Sequence, residues 1–214
     1  MNGFPARMSG ILTIFALAML VATPAFSTEP LPSASLAAEG AVGMIDFPDD
    51  GVFAPVPAHR HRNPDGGLGG WVADTAYVGK DARVSGNAMV FGNAWVAGNA
   101  LVFGDAVVLG NARVSGNAKV FGNARVSGNA RVFGSVVVAQ SPLSFSVFSY
   151  LHITVTETHI LVGNLGTEVV RLIPEWENLS VASMEELGIG ALVPFRAGIY
   201  ALAKAHQTTM AGGK

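Results

Sequence analysis

A chain of 214 residues has room for one ordinary domain, or one domain with appendages. Half of it is apolar and 13% is charged, against the ~25% usual in soluble domains, and its 26 glycines are roughly 12% where ~7% is typical. A net charge of −2 gives no global field for nucleic acid, and the lack of cysteine excludes disulfides, thiolate nucleophiles and Cys-ligated zinc.

Residues 1–27 follow the order of a secretory signal. Arg7 and the amino terminus are positive, Ile11 to Ala22 is apolar, and Ala25-Phe26-Ser27 puts small residues at the −3 and −1 positions of a cleavage site. As a helix the apolar run would rise about 18 Å, short of a ~30 Å hydrocarbon core, and Pro24 ends it. The protein is therefore expected to be exported, periplasmic or extracellular, touching a membrane only through this segment if it is uncleaved. The alternatives are a buried or anchoring helix, and a cytoplasmic protein.

Residues 28–66 carry six prolines, from Pro30 to Pro64, and little periodicity, so a linker or loosely packed arm is expected. Its "HRHR", His59 to Arg62, offers at most two imidazole ligands and reads as a solvated basic tract.

From Trp71 the chain repeats every six residues: WVADTA, YVGKDA, RVSGNA, MVFGNA, WVAGNA, LVFGDA, VVLGNA, RVSGNA, KVFGNA, RVSGNA, RVFGSV. The second letter of these eleven hexads is always Val, and the sixth is Ala in ten. A period of six puts no apolar stripe on a helix and leaves no room for hairpins. In an extended Ala-x-Val-x segment, Ala and Val share one side and the x residues the other. Gly-Asn then turns a corner, because both tolerate positive φ. A strand and a corner repeated identically wind a solenoid, in which each inward Val contributes about 1.5–3 kcal/mol on burial. The corner asparagines, such as Asn87, Asn99 and Asn111, are expected to form ladders that satisfy backbone groups.

This pattern resembles the hexapeptide repeat of left-handed parallel β-helices, where three hexads close one triangular coil. The resemblance implies a mainly β fold, a single-stranded left-handed parallel β-helix of about four coils over residues 67–138. Residues 18 apart then stack, so Phe103 should lie over Phe121, and Trp95 should meet Arg113 in a cation–π contact. Outward apolar groups need cover, either from flanking segments or from other copies of the chain. The family commonly trimerises, so a homotrimer is favoured, with Met89, Phe91, Trp95, Leu101, Phe103 and Phe121 as interface candidates. Arg113, Lys119, Arg125 and Arg131 scatter over all three faces, so no nucleic-acid stripe is expected.

Hexapeptide acyltransferases use a histidine as general base, and γ-type carbonic anhydrases use three on a metal; the coils hold none. His152 and His159 are the catalytic candidates of an acyltransferase-like alternative. In one continuous strand they would face opposite sides. No metal site and no cofactor is expected.

Residues 139–214 read as a small α+β cap. "LHITVTETHILVG" at 151–163 is a strand or strand pair, and Glu175 to Ser183 a polar connection. Ser183 has capping-box spacing to Glu186, and Phe195, Ile199, Leu202 and His206 follow at helical spacing. With "GGLGGWV" opening the hexads and "PEW" at 174–176, the chain resembles the YdcK-like hexapeptide proteins of bacteria and phages. Family members often carry Cys and His after the glycine matching Gly163, where this chain has "NLGTEVVRL". The resemblance implies a shape and no reaction. The expected function is a non-catalytic scaffold or binding module, with an acyltransferase-like enzyme bearing an interface site, or a phage-derived structural protein, as alternatives.

Overall fold

The structure, a computed structural model, describes residues 42–47, 55–147, 150–163 and 168–212. The proposed signal, residues 1–27, lies outside them. Among the described residues no helix is long and apolar enough to cross a membrane.

Two strands of the supposed linker, β1 (Val42–Ile45) and β2 (Val56–Arg62), run antiparallel to each other, and β2 pairs with β3 (Leu68–Ala73). Eleven two-residue strands follow: β4 (Tyr77–Val78), β5 (Arg83–Val84), β6 (Met89–Val90), β7 (Trp95–Val96), β8 (Leu101–Val102), β9 (Val107–Val108), β10 (Arg113–Val114), β11 (Lys119–Val120), β12 (Arg125–Val126), β13 (Arg131–Val132) and β14 (Val137–Val138). Each of β3 to β11 pairs in parallel with the strand 18 residues on, so β3 to β14 make four coils of three. The fourth coil closes on β14, one strand past the last hexad.

The interior is what the hexads dictate. Val84, Val90, Val96, Val102, Val108, Val114, Val120, Val126 and Val132 are fully buried, with alanines filling the gaps between them. Each corner glycine from Gly86 to Gly134 takes φ between +64 and +75°, a region any Cβ makes costly. The corner asparagines do ladder, but side chain to side chain. Asn99 Nδ2 donates to Asn117 Oδ1 and Asn111 Nδ2 to Asn129 Oδ1, each at 3.3 Å, and Asn87 Nδ2 donates to Asp105 at 2.9 Å. The corner backbone is satisfied separately, as in Asn93 N to Gly110 O.

Both open ends of the solenoid are closed. At the start, the Asn63 amide imitates a missing rung: its Nδ2 donates to Val84 O at 3.1 Å and its Oδ1 accepts from Val84 N at 3.0 Å. His61 Nε2 donates to Ala82 O. Gly70 crosses so close that a Cβ there would stand 2.2 Å from Ala88 O. At the far end lies a four-stranded antiparallel sheet, β15 (Leu143–Val147), β16 (Leu151–Val155), β17 (His159–Gly163) and β18 (Glu168–Leu172). One side of it meets the last coil. Leu161 joins the solenoid core, Thr154 Oγ1 accepts from Arg131 N, and Glu157 Oε1 accepts from the amides of Ala139 and Gln140. The other side, with Ile153, Val155, Ile160 and Val162, packs on α1 (Ile173–Glu177), α2 (Val181–Glu186), a 3-10 turn (Gly190–Phe195) and α3 (Arg196–Gly212).

Three expectations are corrected here. Residues 175–183 are no polar connection: Trp176 is fully buried in α1, its Nε1 donating to Arg196 O. Ser180, and not Ser183, caps α2, accepting from Ser183 N at 3.0 Å. On α3 the buried residues are Ile199 and Ala203, while Leu202 and, just before the helix, Phe195 stay exposed.

Candidate functional site

The inward positions are nearly uniform, so distinct chemistry sits on the three outer faces. On the face formed by β3, β6, β9 and β12, the outward Trp71, Met89, Phe91, Val107 and Leu109 lie beneath the β1–β2 arm. Phe47 of the arm stacks on Phe91 with ring centroids 4.7 Å apart. Phe91 is 1% exposed, so this apolar column is covered by the chain itself and cannot serve as a subunit contact. The expected 28–66 linker is thus, where described, a packed part of the fold. Its "HRHR" tract is equally structural: His61 is buried, His59 Nδ1 meets Asp74 Oδ1 at 2.9 Å, and Arg60 lies over the Trp71 ring at 5.3 Å. Arg60 makes the cation–π contact expected of Arg113 on Trp95; Arg113 stands one rung from Trp95 without it.

The face of β5, β8, β11 and β14 carries Leu101, Lys119 and Val137, with the Phe103 and Phe121 rings stacked at 5.0 Å and 9° as expected. The six interface candidates therefore do not form one surface. Met89 and Phe91 are under the arm, Leu101, Phe103 and Phe121 are here, and Trp95 is on the remaining face.

That remaining face, β4, β7, β10 and β13, presents Tyr77, Trp95, Arg113 and Arg131 in register. Tyr77 and Trp95 stack at 4.1 Å and 30° while staying 47% and 45% exposed. Beyond Trp95 the column changes to two guanidinium groups, bordering a cleft of about 250 Å³ lined by Trp95, Arg113, Ser115, Arg131, Phe133 and Glu168. The cap sheet builds part of it. Gly163 of β17 lets the Arg131 stem lie against the strand, since a Cβ there would be 2.6 Å from Arg131 Cδ. Burial first, and the neighbouring Arg113 charge second, pull the Arg131 guanidinium below its ordinary value, with Glu168 opposing. It stays protonated at neutral pH.

His152 and His159 do not share a strand. They lie on the antiparallel pair β16 and β17, and His152 is opposite Gly163, four residues from His159. Alternation with Thr154 and Leu161 puts both on the solenoid side of the sheet, about 14 Å apart at ~3.4 Å per residue, too far for joint chemistry. His152 Nδ1 meets Ser146 Oγ at 2.9 Å and His159 Nδ1 meets Thr158 Oγ1 at 2.7 Å. Burial first lowers both pKa values; Arg131 and Arg113 lower His152 further, and Glu175 opposes the shift of His159. Among the described residues no group of three His, Asp or Glu side chains is placed to hold a metal. An apolar groove of about 300 Å³ between β15 and α3, lined by Phe145, Phe195 and Leu202 among others, offers no comparable set of polar groups.

The Tyr77–Trp95–Arg113–Arg131 column follows from stacking at 18 residues. The contributions of Glu168 and Gly163 do not, because nothing local in the sequence says where the cap sheet docks.

A family model described as the YdcK beta solenoid repeat matches residues 82–98 and 124–140. Both segments open on Ala-Arg-Val-Ser-Gly-Asn-Ala and reach Val-Phe-Gly two residues later, spanning β5 to β7 and β12 to β14. No curated protein and no solved structure matches the chain. The two matched repeats lie within the four parallel coils, so the chain holds a β-solenoid whose repeats are similar to the YdcK solenoid repeat.

Proposed function

We propose that this protein is an exported, non-catalytic solenoid whose Tyr77–Arg131 face is a binding surface. The observation that carries this reading is the exposed Tyr77–Trp95 stack running directly into the Arg113–Arg131 cleft. Half-exposed aromatic rings on a rigid parallel ladder lose little conformational entropy on binding, and paired guanidinium groups supply directional donors. The coil backbone is paired from rung to rung, so binding on this face must use side chains. The signal-like order of residues 1–27 supports export. Any trimer would use the Leu101–Phe103–Phe121 face, since the arm covers the other apolar column.

The test measures binding of a panel of small acids, glycans, nucleotides and peptides by calorimetry, with the full chain and its Trp95→Ala and Arg113→Gln variants. At least one ligand should bind the parent and lose affinity in both variants. The reading fails if every ligand that binds does so equally well in the variants. Transfer from acyl-CoA that His152→Ala or His159→Ala abolishes would replace it with the acyltransferase alternative.

A further inference from the structure

We infer that this face binds a carboxylated saccharide, one uronate unit seated in the cleft beside Trp95 with its carboxylate on Arg113 and Arg131. This rests on the binding-surface reading above and names its ligand.

Size comes first. A cleft of about 250 Å³ lies below the ~300–1,000 Å³ of sites for drug-sized molecules, so it fits one small unit. The surface continues beyond it, because Tyr77 extends the column one rung past Trp95. A single seat with an aromatic run leading away suits one residue of a polymer better than an isolated metabolite.

Charge comes second. Arg113 and Arg131 are held one rung apart, about 4.8 Å, by the parallel register. Their like charges repel, which adds to burial in depressing the Arg131 pKa while Glu168 opposes it. An anion between them relieves that repulsion. A guanidinium fork matches the two oxygens of a carboxylate, giving charge-assisted, bidentate hydrogen bonds. Glu168 on the rim limits how much negative charge is welcome: a single carboxylate fits better than a chain of phosphates.

The rest of the lining separates saccharide from peptide and nucleic acid. Tyr77 covers one side of the Trp95 indole, and the ring borders the cleft on the side of the next rungs, where the C–H face of a sugar can pack. Ser115 supplies a hydroxyl inside the cleft, and sugar hydroxyls outside it remain hydrated. An acidic peptide would bring backbone N–H and C=O groups to a face whose own backbone is already paired. A nucleic acid strand needs a track of cations, and Lys119 and Arg125 point to the other two faces.

The experiment titrates the full chain with galacturonate oligomers, following tryptophan fluorescence and calorimetry. Neutral galactose oligomers, sulfated galactose oligomers, poly-glutamate and oligothymidylate are the comparison probes. Galacturonate should bind, weaken as salt rises, and exceed the neutral oligomer by about tenfold or more. Arg113→Gln and Trp95→Ala should each weaken it about tenfold, Arg113→Lys should recover only part, and Lys119→Gln should change nothing. Melting curves confirm that the variants remain folded. Gly163→Ala, which displaces the Arg131 stem without touching the ligand, should also weaken binding. The inference is overturned if neutral oligomer binds as well, if poly-glutamate or oligothymidylate binds more tightly, or if sulfated oligomer is preferred. If one of these other probes binds and depends on Trp95 and Arg113, the ligand class is wrong and the binding face stands. If galacturonate binds equally well to both variants, the face itself is wrong.

Discussion

Replacing Asn63 by Ala tests whether one side chain closes the first coil. Asn63 is 8% exposed, and its amide makes both hydrogen bonds that a preceding rung would have made to Val84. Truncation strands one N–H and one C=O. A buried group left unsatisfied costs ~1–3 kcal/mol, and water entering the vacated space offsets part of that, so the pair sets a loss of about 2–4 kcal/mol. In a solenoid such a loss is felt by the terminal unit and its neighbour, not by the whole molecule. At 1.4 kcal/mol per decade, the low end means roughly 30-fold faster amide exchange in the first coil. Hydrogen exchange read by mass spectrometry should show this acceleration in peptides covering 71–88 and none in those covering 107–138. Asn63→Asp keeps an acceptor for Val84 N but has no donor for Val84 O, so it should rescue little. Uniform acceleration along the chain, unchanged exchange in 71–88, or full rescue by Asp would refute the cap.

Three further outcomes are expected. Burial lowers the His61 pKa from 6.5, so its contribution to stability is complete above that value and is lost as pH falls below it toward the folded pKa, where the unfolded chain takes up the proton first. Chemical denaturation should therefore show the parent losing more stability than His61→Gln between neutral pH and pH ~5; the shifts of His152 and His159 are common to both proteins and cancel. Gly116→Ala meets a φ of +71° and a contact of 2.9 Å to Gly134 O, and should cost about 1–2 kcal/mol or more. Gly79→Ala, with ordinary φ and 3.5 Å of clearance, should be neutral or gain ~0.4–1 kcal/mol, and paired thermal melts would separate the two. Phe47→Ala empties a buried site over Phe91 at ~3–5 kcal/mol; limited proteolysis should then cut near 42–62 while the β signal of the coils persists in circular dichroism.

The coils were legible because their grammar is local. Val at every sixth position and Gly at every corner specify a strand, a turn and a buried side without reference to anything distant. The arm was illegible for an equally local reason. On β2 the buried residues are Ala58 and His61, three apart, because the pairing with β3 shifts register between Arg60 and Arg62. That irregularity destroys the alternation by which a strand is recognised, and two arginines and two prolines in the neighbourhood complete the disguise. In the cap the strand pair is visible in its β-branched residues, but nothing local fixes the turn at Glu157; one continuous strand would set His152 and His159 on opposite sides, and the hairpin puts them on one. The binding column was half visible: its four coil residues follow from stacking at 18, whereas the cleft needs the docked cap sheet.

Folding requires Val and Ala inward and Gly at the corners, and outside the column under the arm it places few demands on the residue before each Val. Coils with Arg, Met, Leu or Lys there share the same buried core. A column that runs Tyr, Trp, Arg, Arg is therefore not demanded by the solenoid. Beyond the stacking of Tyr77 on Trp95, worth about 0.5–1.5 kcal/mol, and the packing of the Arg131 stem on β17, exchanging these four side chains should change stability little. Both ends are closed by Asn63 and by the cap sheet, so the coil edges are not open to axial association. One apolar face is spent on the arm. What selection can vary without unfolding the chain is the set of outward columns, and the column ending in the Arg131 cleft combines exposed aromatic rings, paired cations and a seat.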